Sequence, residues 1–134
     1  MLALMYFPKI TAMAIAVLGL IFVVLAVLVV AARGQSKVTM GDGAETAPNL
    51  YIAIRSHANF AEFVPTALFL LATLETITGP TLEIKILAYG LVAARIAHPI
   101  GMRMAGTNPF RAFGFAGTLI VILTASVELL RHCG

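Results

Sequence analysis

The sequence predicts an all-α integral membrane protein built as a bundle of four antiparallel transmembrane helices. Three observations carry this expectation. Of 134 residues, 60% are hydrophobic and only 11% charged, against about 45–50% and a quarter in a soluble domain. Four apolar stretches, roughly 10–32, 49–78, 82–102 and 109–131, are each long enough as helix to cross about 30 Å of hydrocarbon. Two of the three links between them are short, which makes neighbouring helices antiparallel. Residues 1–134 read as one such domain.

The first stretch, Ile10 to Ala32, has no charge and measures about 34 Å as a helix. A cleaved signal peptide has an apolar region of only about 7–15 residues, so this segment is expected to stay in the fold. Gly34 to Pro48 is rich in glycine and turn residues and reads as an exposed connection. The second stretch is about 45 Å long, so its first turns should project into the headgroup layer. Gly79-Pro80 ends it as a C-terminal glycine followed by proline does. Asn108-Pro109 opens the fourth helix as N-cap and first-turn proline. Pro65 and Pro99 each free a carbonyl one turn earlier, so both helices are expected to kink there. Gly90, Ala94, Gly101 and Ala105 suit close helix contact, whereas Gly114-x-x-Gly117 is not the G-x-x-x-G association motif.

Charge and cysteine narrow the function classes. The net charge is +3, but the nine basic residues are dispersed along apolar segments and form no tract for nucleic acid. Cys133 is the only cysteine, which excludes a disulfide framework and a CxxC metal cluster. The first and third links with their flanks carry Arg33, Lys37, Arg103 and Arg111, against Lys9, Lys85 and Arg131 at the other end. The positive-inside rule then puts those two links in the cytoplasm. Glu75, Glu83 and Lys85 flank a tight turn and read as solvated, and Tyr6, Phe7, Phe110, Phe113 and Phe115 read as interfacial aromatics.

The chemistry concentrates in Arg55-Ser-His57-Ala-Asn59-Phe-Ala-Glu62-Phe-Val-Pro65. At 100° per residue Arg55, Asn59 and Glu62 lie within about 60° of one another on one helix face. Ionisable groups inside a membrane helix mark a functional site by default. On the third helix Arg95, His98 and Met102 share a face, and Arg111 follows at the start of the fourth. Such a site would take a ligand of both signs: Glu62 for an ammonium, the guanidiniums for carboxylates in bidentate fashion. His57 points away from this face and reads as a packing residue. Arg55 paired with Glu62 as a structural ion pair is the competing reading.

The pattern Arg55-x-x-x-Asn59-x-x-Glu62-x-x-Pro65, then Arg95-x-x-His98, then Pro109-x-Arg111, resembles the membrane-associated proteins in eicosanoid and glutathione metabolism, the MAPEG family. The spacing is similar to the microsomal glutathione transferase and prostaglandin E synthase branches, and the Ala-Asn-Phe-Ala-Glu wording to bacterial members. The resemblance implies a homotrimer with glutathione bound between subunits near the cytoplasmic surface. It implies Arg55, Asn59, Glu62, Arg95, His98 and Arg33 as glutathione-binding residues and Arg111 as the catalytic arginine that stabilises the thiolate. Phe63 stands where many family members carry tyrosine, and Met102 where the eicosanoid enzymes carry a tyrosine that contacts glutathione, so two hydroxyl donors are missing.

The function so implied is transfer of the glutathione thiolate to a lipophilic electrophile, or reduction of a lipid hydroperoxide, in a bacterial inner membrane with the site facing the cytoplasm. Two other readings belong to different classes. One is a non-enzymatic lipid-binding scaffold of the same family, motivated by the missing tyrosines. The other is a small proton-coupled multidrug transporter working through Glu62, against which Arg55 and Asn59 share the glutamate's face.

Overall fold

In a computed structural model, which describes residues 6–104 and 106–134, the chain forms four helices. They are α1 (Lys9–Ser36), α2 (Pro48–Thr78), α3 (Leu82–Arg103) and α4 (Pro109–Cys133). All four are long and apolar enough to cross a membrane. The apolar surface faces outward as well as inward, as a bilayer solvent requires: Leu20, Phe69, Leu82, Leu123 and Leu130 are exposed, while Leu18, Ala67, Leu71, Ala88 and Leu91 are buried.

The packing follows from which helices touch. α2 and α3 meet each other and both remaining helices, whereas α1 and α4 share no contact among the described residues. The cross-section is therefore a rhombus with α2–α3 as its short diagonal. Its α1/α3 side and its α2/α4 side lie on opposite flanks, and each carries a groove.

Helix ends are fixed by identifiable caps. Gly79 takes φ +76° after Thr78 and donates its N–H to the Glu75 carbonyl at 2.8 Å. Asn108 caps α4 by accepting from Arg111 N at 3.0 Å, and its amide also donates to Gly101 O at 2.8 Å, tying the end of α3 to the start of α4. α1 runs four residues past the apolar stretch, to Ser36, and stops at Lys37 with φ 58°. Polarity after Ala32 marks where the helix leaves the hydrocarbon and not where it ends. α2 and α3 continue through Pro65 and Pro99 as unbroken helices. Gly101 and Ala94 are buried at helix contacts, Gly90 faces open space, and Ala105 lies outside the described residues.

Glu75 corrects the sequence reading. Expected in solvent, it is fully buried, and its carboxylate accepts from Ile10 N at 3.0 Å, Thr11 N at 2.8 Å and the Thr11 hydroxyl at 2.7 Å. The cause lies in α1, which follows Pro8 and has no side-chain cap of its own. Its first N–H groups have no partner within the helix, and the carboxylate on the last turns of α2 satisfies two of them beside the positive end of the helix dipole. Glu83 and Lys85 are exposed as expected.

Candidate functional site

The groove on the α2/α4 side is a cleft of ≈ 460 Å³ between the first half of α2, the end of α3 and the start of α4. Arg55 and Asn59 line it from α2, His98 and Met102 from α3, and Arg111 from α4. The spacing explains why each side contributes a pair: residues three or four apart share a helix face. Four residues of the site inferred from sequence thus meet in one cleft. Thr107, Ala112 and Phe115 complete the wall. Phe115, read from the sequence as an interfacial aromatic, follows Arg111 by one turn and so shares its face, and its ring meets Phe63 edge-on with centroids 5.6 Å apart.

Among the described residues no carboxylate lines this cleft. Arg55 and Arg111 are exposed in it, so its field is that of two fixed cations near the membrane surface.

Behind the wall lies a third guanidinium. Arg95 is 1% exposed and is not a lining residue. Its Nη1 donates to Asn59 Oδ1 at 3.0 Å and its Nη2 to Gly114 O at 2.6 Å, and Nε has no partner among the described residues. Because the Asn59 carbonyl oxygen is engaged by Arg95, its amide nitrogen is the group left to donate into the cleft. Arg95 therefore orients Asn59. Gly114 makes the bond possible, since a Cβ there would stand 2.5 Å from His98 Cβ and 2.7 Å from its Cα. No spacing in the sequence marks this glycine's carbonyl as the shared acceptor of a guanidinium and of the Thr118 hydroxyl (2.9 Å).

Glu62 and Arg33 are not brought to the cleft. Glu62 is exposed on the outer flank of α2, between Phe60 and Val64, which face the core. It does not pair with Arg55; among the described residues the ion pair formed is Arg131–Glu128 at 2.8 Å. Arg33 turns its Nη1 onto backbone carbonyls of the following link, Gly41 O at 3.0 Å and Val38 O at 3.3 Å. His57 stacks on Phe22 with ring centroids 4.6 Å apart, away from the cleft.

A family model described as "MAPEG family" matches residues 11–131, a span that includes every residue lining the cleft. No curated protein and no solved structure gives a match to the chain.

Proposed function

The chain belongs to the MAPEG family, whose members include glutathione transferases and related proteins, and from that premise we propose that it is a glutathione-dependent membrane enzyme. The observation that carries this reading is the cleft itself, where Arg55, Asn59, His98 and Arg111 converge without a carboxylate. The Arg55 guanidinium and a pre-oriented amide suit the carboxylate end of a tripeptide and leave Arg111 for its thiol. Its ammonium needs an acid, and Glu62 faces outward. A homotrimer with sites between subunits would bring Glu62 and Arg33 of one copy toward the cleft of another. The cost of a carboxylate facing lipid, roughly 2.5–3.5 kcal/mol at mid-bilayer, favours such coverage.

Bound glutathione supplies a thiol nucleophile. Arg111, exposed in the cleft, holds the sulfur as thiolate, because an adjacent fixed cation lowers a thiol pKa from about 8.5. Arg95 keeps Asn59 aimed, and Phe115 and Met102 give the wall an apolar portion against which a lipophilic electrophile can sit. In transfer, sulfur bonds to the electrophilic carbon as the leaving group departs. In hydroperoxide reduction, the thiolate takes the terminal oxygen as the O–O bond breaks, the lipid leaves as its alcohol after gaining a proton, and the resulting sulfenic acid condenses with a second glutathione to give disulfide and water. The cleft lies at the end of the bundle that carries Arg33, Lys37 and Arg103, and the positive-inside rule supports a cytoplasmic face for it, which we read as that of a bacterial inner membrane.

Thermal unfolding of the detergent-solubilised protein with glutathione and with its thiol-free analogue tests the reading. Linkage gives about 1.4 kcal/mol of stabilisation at ten times the dissociation constant. The shift is expected with both ligands and is expected to vanish in Arg55→Ala and Glu62→Gln. Folded protein that shows no shift at millimolar ligand would sink it. The scaffold reading would then stand, and one observation favours it: Met102 lines the cleft and Phe63 packs on Phe115, so neither offers a hydroxyl to a ligand.

A further inference from the structure

The opposite flank of the bundle carries a second groove that the glutathione reading does not use. Between α1 and α3, with α2 as its floor, runs an apolar channel of ≈ 230 Å³ walled by Ile21, Leu25 and Leu28 on one side and Ile96 and Ile100 on the other. It continues into a more polar recess of ≈ 380 Å³ that Gln35 and Asn49 line. Leu28, Ala53 and Arg103 belong to both, so the two are one groove with Arg103 at the junction. Ala53 keeps the floor open. Arg103 is exposed and has no acidic partner among the described residues.

We propose that this groove is a binding site for an anionic phospholipid, with an acyl chain between α1 and α3 and the headgroup phosphate on Arg103.

Length, polarity and charge each support that occupant. Ile21 sits near the midpoint of α1 and Gln35 near its end, a rise of about 21 Å. Half of a bilayer, headgroups included, is about 20–22 Å. The groove therefore spans one leaflet. Its character changes along that length as a lipid's does, from aliphatic at mid-membrane to an arginine flanked by two amides at the surface. Guanidinium suits phosphate in bidentate geometry, and basic pockets between transmembrane helices on the cytoplasmic side are where anionic headgroups bind. A soluble anion would leave the aliphatic half uncovered.

Native mass spectrometry of delipidated protein, offered equal amounts of phosphatidylglycerol and phosphatidylcholine with identical chains, reads the proposal. Phosphatidylglycerol should be retained about fivefold over phosphatidylcholine, the ratio expected for one basic side chain at the surface. Arg103→Gln should bring that ratio to about one, and Arg103→Lys should keep most of it. Val24 is exposed on the same wall, so Val24→Trp fills the aliphatic half from outside the core and should reduce retention of both lipids alike. Circular dichroism confirms that each variant keeps its helices. An unchanged ratio in Arg103→Gln, unchanged retention in Val24→Trp, or a fatty acid that outcompetes phosphatidylglycerol would each overturn the assignment.

Discussion

Arg95 and Arg111 show how two arginines 16 positions apart in sequence divide one task. Arg111 is exposed in the cleft and free to meet a ligand, whereas Arg95 is buried and spends its donors on Asn59 and Gly114. Replacing Arg111 by alanine should therefore leave glutathione-induced stabilisation largely intact and lower the rate of thiol transfer by about 10²–10³, the scale for removing one electrostatic stabiliser of a developing anion. Single-turnover kinetics at saturating glutathione measures this. Arg95→Lys should behave differently. An ammonium cannot span both acceptors as the planar guanidinium does, so the protein should lose about 1.5–3 kcal/mol of stability, and its glutathione affinity should fall through the released Asn59. Denaturation midpoints with and without ligand separate these effects: a variant that lost stability but bound normally would contradict the positioning role.

At the scale of helices, the ends that local chemistry caps were legible and those capped from afar were not. Asn108-Pro109 and Gly79-Pro80 announce their roles because cap and capped group lie within four residues. Glu75 did not, because its partners are 64 and 65 residues away on another helix. Only the packing of α1 on α2 makes an acid near a turn into a cap. The α2 and α3 faces were readable from 3.6-residue periodicity, which is why Arg55, Asn59 and His98 meet as expected. Periodicity places residues on a face without saying which way the face looks, and so Glu62, on the same stripe, ends outside the cleft. Two outcomes follow from the helix contacts. Glu75→Ala leaves two N–H groups and the Thr11 hydroxyl without their acceptor and should cost about 2–3 kcal/mol, read as a lower unfolding midpoint in detergent. Gly114→Ala drives a methyl into His98 and should separate α3 from α4 enough to weaken the Arg95 bond, with a loss of about 1–3 kcal/mol typical of overpacking. Val121→Ala, deeper in the same helix, removes buried volume without touching that bond and serves as its control.

For the whole molecule the governing feature is a difference between its two ends. One end holds Arg33, Lys37, Arg103 and Arg111, the arginine-lined cleft and the polar part of the α1/α3 groove; the other holds the Glu75 cap and the exposed residues Lys9 and Cys133. Both proposed sites thus depend on one orientation, since glutathione and anionic headgroups would have to be available on the same side. The protein carries its own reporter of that orientation. Cys133 is the only cysteine, lies at the end of α4 opposite the cleft, and is exposed. With the cleft in the cytoplasm, a membrane-impermeant maleimide should label Cys133 in spheroplasts without permeabilisation. A cysteine placed in the first link, at the exposed Thr39 in a Cys133→Ser background, should be labelled only after the membrane is opened. The reverse pattern would put the cleft outside the cytoplasm, away from the main store of reduced thiols. In that case the arginines would still bind anions, but a cytoplasmic supply of glutathione could not serve the site.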